Sequence, residues 1–135
     1  MQTVNIFWFR RDLRLYDNAG LYHALKGELP VIPIFIFDRN ILDKLENKSD
    51  SRVEFIHQAV TGMQEQLRPK GSSLEVYYGY PADVFKQLLS KYKIGSVYTN
   101  GDYEPYARDR DESIAALLPQ QGVQFQLFKD QVIFE

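Results

Sequence analysis

The chain contains no cysteine and only two histidines, His23 and His57. Disulfide bonds and thiolate metal sites are therefore excluded, and two separated histidines are too few to build a metal centre. No stretch approaches the ~20 apolar residues that a membrane-spanning helix needs, and no basic leader precedes the first apolar run. We therefore expect a protein of the cytoplasm with no metal ion and no contact with a membrane.

The chain also lacks an excess of positive charge. It has 16 lysines and arginines against 18 aspartates and glutamates, which gives a net charge of −2. Binding to nucleic acid draws on basic side chains that neutralise phosphates, and this balance supplies no overall attraction. If DNA is a partner, other parts of a larger protein must provide most of the contact.

Glycine is present, but not in the spacings that mark the common nucleotide-binding loops. The eight glycines form neither G-x-G-x-x-G nor the P-loop pattern. The sequence also lacks the G-x-S-x-G motif of α/β-hydrolases and the H-E-x-x-H motif of zinc proteases. These absences exclude a classical dinucleotide-binding domain, a P-loop enzyme and the hydrolases that depend on those motifs.

What is present is an alternation of strand and helix patterns over 135 residues, enough for one domain. Continuous apolar runs typical of buried parallel strands alternate with stretches of helical spacing. The predicted strands cover 4–9, 31–37, 74–78, 96–100 and about 123–128, and the predicted helices cover 18–25, 51 to about 69, a segment opened by Pro81, and 107–118. This order predicts one α/β domain, residues 1–135, in which a doubly wound, Rossmann-like sheet of five parallel strands has helices on both faces.

In the first helix, helical spacing places Leu21, Ala24 and Leu25 on one face. The long helix opens with a capping box, Ser51 and Glu54, and its predicted buried residues are Phe55, Ile56, Ala59, Val60, Met63 and Leu67.

Polar residues follow the predicted strands where their carboxyl ends meet. In open parallel sheets, ligands bind outside those ends. The candidate binding residues are Arg10 and Arg11 after the first strand, Asp38 after the second, Arg52 at the start of the long helix, and Asn100, Asp102 and Glu104 after the fourth strand. Phe9, Phe37, Tyr98 and Tyr103 are expected to provide apolar or stacking walls. Such a pocket suits a flat heterocycle with hydrogen-bonding groups.

These residues also have ordinary structural interpretations. Arg10 and Arg11 could pair with nearby aspartates and tie their loop to the sheet. Asp102 and Glu104 could cap the helix that starts near Tyr106, a common role for acidic residues. For Glu104 we favour a binding role, because two acids precede the helix where one would suffice. We expect Trp8 to be a core residue.

Several motifs resemble those of the DNA photolyase and cryptochrome family. The opening sequence Trp8-Phe9-Arg10-Arg11-Asp12-Leu13-Arg14, followed by Asp17-Asn18, is similar to the family's opening signature. Weaker matches follow in the same order along nearly the whole chain. They are Pro33, Phe35 and Asp38; Ser51-Arg52 with Phe55; Gly79-Tyr80-Pro81; Asn100 with Tyr103-Glu104-Pro105; and Arg108-Asp109-Arg110-Asp111.

The resemblance implies the N-terminal α/β domain of that family, which holds a light-harvesting antenna chromophore. It implies contacts from Arg11, Asp38, Arg52, Asp102 and Glu104. FAD would bind only in a C-terminal helical domain that this chain does not contain. That domain would be this domain's partner and would meet UV-damaged DNA, where reduced FAD donates an electron under blue light to split cyclobutane pyrimidine dimers. We expect a monomer with no catalytic residue of its own.

One departure from the family bears on the chromophore. Photolyases that use a folate carry an Asn-Glu pair just past the Tyr-Glu dipeptide, where this chain has Tyr106-Ala107. The resemblance therefore favours a deazaflavin, a flavin or an empty site over methenyltetrahydrofolate.

Other assignments stay open at this stage. They are the same domain of a cryptochrome photoreceptor, a free-standing nucleotide- or flavin-binding module, and a domain that only supports the helical half. The apolar residues Val132 to Phe134 lead us to expect a piece of a longer protein.

Overall fold

Strands and helices alternate along the chain. The computed structural model describes residues 3–9, 19–38, 51–70, 73–100 and 105–128, with side chains at 3–9, 20–37, 57–69, 73–100 and 111–128. The strands are β1 (Thr3–Phe9), β2 (Val31–Asp38), β3 (Glu75–Gly79), β4 (Lys93–Asn100) and β5 (Gln124–Phe128). The α-helices are α1 (Ala19–Lys26), α2 (Ser51–Leu67), α3 (Pro81–Lys91) and α4 (Pro105–Gln120), and a short 3-10 turn, Arg68–Lys70, follows α2. Within the described residues, the predicted order of elements is confirmed.

The five strands form one parallel sheet in the order β3-β2-β1-β4-β5. β1 lies at the centre, and the chain builds outward from it first on one side and then on the other. This order confirms the predicted Rossmann-like α/β fold and adds the strand order, which the sequence pattern does not contain.

Both faces of the sheet are covered, so the fold has three layers. On β1, Ile6 and Trp8 face a core cluster shared with α3 and α4, while Phe7 and Phe9 face a second cluster shared with α1 and α2. Trp8 is 2% exposed and meets Phe85 of α3 edge to face at 5.2 Å. The prediction that Trp8 is a core residue is therefore confirmed. Burial on both faces explains why β1 is a continuous apolar run.

β4 begins at Lys93, three residues before the predicted start. The register between β1 and β4 shifts between Val4 and Ile6, where β4 carries an additional residue. The side-chain oxygen of Asn5 accepts a hydrogen bond from the backbone N–H of Ser96 at 2.9 Å and so satisfies a donor beside this bulge. A glycine within a strand pattern, here Gly95, is a recognised signal of such a bulge.

The buried side of α1 is narrower than predicted. Gly20, Leu21 and Ala24 are buried against the sheet, whereas Leu25, predicted on the same face, is 63% exposed. A Cβ at position 20 would lie within 3 Å of Phe7 and Asn100, so the Gly20 side of α1 lies close against the sheet, and Leu25 lies on the exposed side. The prediction for Leu25 was therefore wrong.

The long helix α2 begins at Ser51 and buries Val60, Met63 and Leu67, as predicted, whereas Ala59, also predicted to be buried, is partly exposed. The predicted capping contacts of its first turn involve side chains outside those described.

The last helix, α4, runs two residues past its predicted end and includes Pro119 in its last turn. Gly122 then takes a positive φ of 76° and ends the helix as glycine commonly does. Among the described residues, none of the helices combines the length and apolar character of a membrane-spanning helix.

Candidate functional site

The carboxyl ends of β1, β2 and β4 meet at one edge of the sheet. Trp8 pairs with Thr99 in the β1–β4 ladder, so Phe9 ends β1 at the level of Asn100. Phe9 also pairs with Phe35, and β2 continues three residues further to Asp38, which pairs with Gly79 of β3. The backbone therefore brings Asp38 and Asn100 to the same edge of the sheet, as predicted for the candidate site.

The strand order places a switch point at this edge, between β1 and β4. From β1 the chain crosses to β2 on one side, and it later returns to β4 on the other side. In open α/β sheets, ligands bind in the crevice at such a switch point. Arg10 and Arg11 follow β1 in sequence, and Asp102 and Glu104 follow β4, so both groups adjoin the switch point along the chain. Their own positions lie outside the described residues.

The other candidates are described in part. Asp38 is the last residue of β2 and Arg52 is the second residue of α2, but their side chains lie outside those described. Tyr103, one of the predicted walls, also lies outside the described residues. Asn100 is the one predicted binding residue whose side chain the structure describes.

Asn100 has a structural role that the sequence did not reveal. It is 3% exposed, and its side-chain oxygen accepts a hydrogen bond from the backbone N–H of Gly20 at 2.8 Å. Gly20 lies in the first turn of α1, where backbone N–H groups have no partner within the helix. This bond fixes the N-terminal end of α1 beside the end of β4. The oxygen of Asn100 is thus engaged within the fold, and α1 directs the positive end of its dipole toward the same edge.

The junction between β1 and β4 is fixed by a second side chain. Thr99 is fully buried, and its hydroxyl donates a hydrogen bond to the backbone oxygen of Trp8 at 2.8 Å. The strand ends that flank the switch point are therefore joined by side-chain as well as backbone bonds. A rigid edge of this kind suits the positioning of a ligand.

Aromatic rings lie near the candidate site, but not all of them are exposed enough to form its walls. Phe9 is fully buried and Phe37 is 3% exposed, so these two predicted walls belong to the core. Phe37 stacks on Tyr78 at 4.5 Å and on His57 at 4.6 Å. Tyr78 is 60% exposed and supplies an aromatic surface near the end of β2. The sequence pattern does not reveal the stacking of Phe37 on Tyr78, because that contact depends on strand register.

Tyr98, the remaining predicted wall, is half-buried and lies in a row of nearly parallel rings. Its ring is parallel to that of Phe128 at a centroid distance of 6.1 Å, and Phe128 stacks on His23 at 4.5 Å. This row joins β4, β5 and α1. Tyr98 thus packs within the domain on the α1 side of the sheet.

The clearest electrostatic cluster lies at the opposite edge, where β3 begins. Glu75 accepts hydrogen bonds from the hydroxyls of Tyr77, at 2.5 Å, and Tyr92, and Lys91 lies 3.2 Å from the same carboxylate. Burial alone would raise the pKa of Glu75, but these hydrogen bonds and the lysine charge outweigh it and hold that pKa below its usual value. Burial and the bond to Glu75 raise the pKa of Tyr77 to about 12.

This cluster joins β3, an edge strand, to the end of α3. Glu75 is the first residue of β3 and Gly79, beside Asp38, is its last, so the cluster is separated from the candidate site by the length of the strand. Its perturbed pKa values therefore reflect a structural contact rather than the candidate site.

A surface pocket of about 470 Å³ also lies away from the candidate site. It is formed by the second half of α2 and the segment before β3. The lining residues are Val60, Thr61, Gln64, Glu65, Arg68 and Ser73. Among the described residues, no group of histidine, aspartate and glutamate side chains is placed to hold a metal ion.

The sequence has relatives among photolyases and cryptochromes. It is 35% identical over 133 residues to deoxyribodipyrimidine photo-lyase of Synechococcus, covering 98% of this chain and 27% of the relative. It is 33% identical over 119 residues to Cryptochrome-1 of Gallus gallus, covering 88% of this chain and 19% of the relative. The chain therefore spans less than a third of the length of either protein.

A solved structure agrees with this assignment. The archaeal photolyase from Sulfolobus tokodaii is 37% identical, with a TM-score of 0.84, and the match covers 96% of this chain and 29% of that one. That photolyase was solved with two FAD molecules, with the implication of a novel light-harvesting cofactor. In addition, residues 5–135 match the DNA photolyase family. The chain therefore belongs to the DNA photolyase and cryptochrome family, of which it forms the N-terminal α/β domain.

Proposed function

We propose that this domain holds a light-harvesting chromophore for a photolyase, at the carboxyl edge of β1, β2 and β4. The observation that carries this proposal is the switch point between β1 and β4, which the candidate residues adjoin from both strands. A crevice of this type accepts a flat heterocycle and leaves one side open toward whatever packs above the sheet. Energy transfer to a flavin in a following domain would require the chromophore to lie on this open side.

The residues present fit a chromophore that carries a phosphate or another anionic group. Asn100 fixes the N-terminal end of α1 beside the end of β4, so the positive end of the helix dipole faces this edge. Arg10, Arg11 and Arg52 add guanidinium groups, which bind phosphate and carbonyl oxygens in a fixed geometry. Asp38, Asp102 and Glu104 would accept hydrogen bonds from ring N–H groups or from hydroxyls.

These features favour a flavin or a deazaflavin over methenyltetrahydrofolate. Tyr106-Ala107 stands where folate-using photolyases carry an Asn-Glu pair, so the acidic partner of the pterin is absent from the sequence. The relative from Sulfolobus tokodaii, with its two FAD molecules, makes FAD itself one of the flavins to consider here. When bound, the chromophore would supply absorption of light, and this chain would supply its binding and orientation.

In this proposal the light-driven reaction takes place in a partner domain. Reduced FAD in a C-terminal helical domain would split cyclobutane pyrimidine dimers in UV-damaged DNA, and no residue of this chain would be catalytic. The similarity to a photolyase over 98% of the chain supports this assignment. Similarity to Cryptochrome-1 supports the alternative of a photoreceptor with the same domain. Repair of a thymine-dimer oligonucleotide under blue light, by the protein that joins this domain to its helical partner, distinguishes the two.

The chromophore site is tested by titrating the purified chain with FMN, FAD, a deazaflavin and methenyltetrahydrofolate, followed by absorption and fluorescence. We expect saturable binding of a flavin or deazaflavin that Glu104→Ala weakens. Glu112→Ala is the matched control, because Glu112 is an exposed acid further along α4. Binding of the folate alone would contradict the chromophore class, and equal losses in both variants would contradict the role of Glu104.

The alternative function is that of a free-standing flavin- or nucleotide-binding module. It would give the same result in the titration, but the full-length protein would have no helical domain. The genomic reading frame separates the two functions. A continuation into a helical domain of several hundred residues supports the antenna domain, and a stop codon directly after Glu135 supports the free-standing module.

A further inference from the structure

Thr99 is a polar residue in a fully buried position near the end of β4. Its side chain is 0% exposed, and it lies two residues after Val97, on the side of the sheet that packs against α3 and α4. Valine has nearly the same shape and would fill this position without burying a hydroxyl, which costs free energy unless the hydroxyl is hydrogen-bonded. The significance of Thr99 therefore lies in the partner of its hydroxyl.

That partner belongs to β1, 91 residues earlier in the chain. The hydroxyl of Thr99 donates a hydrogen bond of 2.8 Å to the backbone oxygen of Trp8, and these two residues are the last pair in the β1–β4 register. β1 ends one residue later at Phe9, and β4 ends one residue later at Asn100. The bond therefore joins the two strands at the point where both end.

A bond at this position fixes the register of β1 against β4. The ladder contains a register shift between Val4 and Ile6, so the two strands pair in one register before the bulge and in another after it. The bond from Thr99 to Trp8 lies beyond that shift and adds a side-chain contact to the backbone pairing. A slip of one residue at this end would change every later pairing of β1 with β4.

The residues that follow the two strand ends include most of the candidate binding residues. Arg10 and Arg11 come directly after β1, and Asp102 and Glu104 come shortly after β4. Tight binding of a ligand between them requires that the binding groups be held within about 0.5 Å of the productive geometry. The separation of the two strand ends therefore decides whether both groups can contact one ligand.

We propose that Thr99 is a positioning residue for the chromophore, because its hydroxyl fixes the end of β1 against the end of β4. This role rests on the proposed function. Thr99 is fully buried and does not touch the ligand; it acts through the backbone of Trp8 on the arginines that follow β1. Asn100, the next residue, faces the other side of the sheet and holds α1 through Gly20, so Thr99 tests the strand ends separately from the helix.

The test compares Thr99→Val with Thr99→Ser in the purified chain, with FMN as the probe. Valine removes the hydroxyl and keeps the branched shape, whereas serine keeps a hydroxyl for the backbone oxygen of Trp8. We expect Thr99→Val to raise the Kd for FMN about tenfold, an effect of the size seen when a residue that orients a metal ligand is lost, and Thr99→Ser to retain most of the affinity. Urea denaturation checks that each variant is fully folded under the conditions of the titration.

Thr61→Val is the matched control. The hydroxyl of Thr61 also donates to a backbone oxygen, that of His57 at 3.0 Å, but it does so on the exposed part of α2. We therefore expect the Kd for FMN to stay the same in this variant.

A second readout does not require a chromophore. Without FMN, the backbone amides of Phe9 and Asn100 should exchange hydrogen faster in Thr99→Val, because they lie next to the lost bond. The amides of Ile6 and Val97, further inside the same pair of strands, should exchange at an unchanged rate.

The outcomes distinguish this role from the proposed function. An unchanged Kd in Thr99→Val would overturn the positioning role, and so would equal effects of Thr99→Val and Thr61→Val or unchanged exchange at the strand ends. If the unchanged chain shows no saturable binding of FMN, the assignment of a flavin fails, and the role of Thr99 in its binding fails with it.

Discussion

The side-chain oxygen of Asn100 accepts a hydrogen bond from the backbone N–H of Gly20 at 2.8 Å and joins the end of β4 to the first turn of α1. Asn100 is 3% exposed, so water does not readily replace this bond. The residue was predicted as a ligand contact from its place after a strand. Its contact with Gly20 shows that it holds the start of α1 against the end of β4, while a contact with a ligand stays a prediction.

Replacement of Asn100 with alanine should lower the free energy of unfolding by about 1–3 kcal/mol, because the N–H of Gly20 is left buried without an acceptor. Urea denaturation of the purified chain measures this loss. Asn100→Asp is the control, since it keeps an acceptor oxygen at the same position and should cost less. An alanine variant as stable as the unchanged chain would contradict the structural role of Asn100.

Gly20→Ala tests how closely α1 approaches the sheet. A Cβ at position 20 would lie 2.8 Å from the side-chain oxygen of Asn100 and 2.9 Å from the ring of Phe7. Crowding in a packed core costs typically about 1–3 kcal/mol, more than the roughly 1 kcal/mol that alanine gains over glycine in a helix. We therefore expect a net loss of stability in urea denaturation.

Gly62→Ala provides the matched control for this prediction. Gly62 lies inside α2, and a Cβ there would meet nothing within 4 Å among the described residues. The same substitution should therefore raise the free energy of unfolding by up to about 1 kcal/mol. Opposite signs at the two positions would separate close packing from helix propensity, and a gain at both would contradict the tight approach of Gly20.

The sequence predicts much of this fold because its signals are local. Continuous apolar runs such as Val4 to Phe9 indicate strands buried on both faces, and Pro81 marks the first turn of α3, as found. The strand order is not local, because it depends on which crossovers pass on which side of β1. The inward face of α1 was mispredicted at Leu25 for a similar reason, since the side of a helix that faces the sheet depends on tertiary contacts, such as the close approach of Gly20 to Phe7 and Asn100.

The candidate site was predictable as a place rather than as a set of contacts. The rule that ligands bind beyond the carboxyl ends of parallel strands selects the edge that holds Asp38 and Asn100. The rule does not reveal that Phe9 and Phe37 are buried beneath that edge, or that Tyr78 stacks on Phe37. Those contacts follow from register, which pairs Phe37 with Tyr78 across two strands.

The cluster around Glu75 predicts a loss of stability at alkaline pH. Burial and the bond to Glu75 raise the pKa of Tyr77 to about 12 in the folded chain, against about 10 for an unperturbed tyrosine. Between these values the folded chain keeps a proton that the unfolded chain has lost. Stability from Tyr77 is therefore complete below about pH 10 and is lost as the pH rises to about 12.

The measurement is the free energy of unfolding between pH 8 and pH 11.5 for the unchanged chain and for Tyr77→Phe. We expect a shallower alkaline decline in the variant, because phenylalanine has no hydroxyl to titrate. Tyr78→Phe is the control, since Tyr78 is an exposed neighbour on the same strand. An unchanged slope in Tyr77→Phe would show that Tyr77 does not couple folding to pH.

Arginines at the candidate site should govern chromophore binding rather than stability. If Arg11 and Arg52 contact an anionic group of a flavin, Arg11→Ala and Arg52→Ala should each raise the Kd for FMN by about tenfold to a hundredfold, the effect of losing a hydrogen bond to a charged group. Arg68→Ala is the control, because Arg68 is exposed in the turn that follows α2, at the opposite end of the helix from Arg52. Fluorescence titration gives the Kd, and urea denaturation gives the free energy of unfolding of the same variants. Loss of stability with unchanged FMN binding would contradict the proposed site and would instead assign these arginines to ion pairs that hold the loops to the sheet.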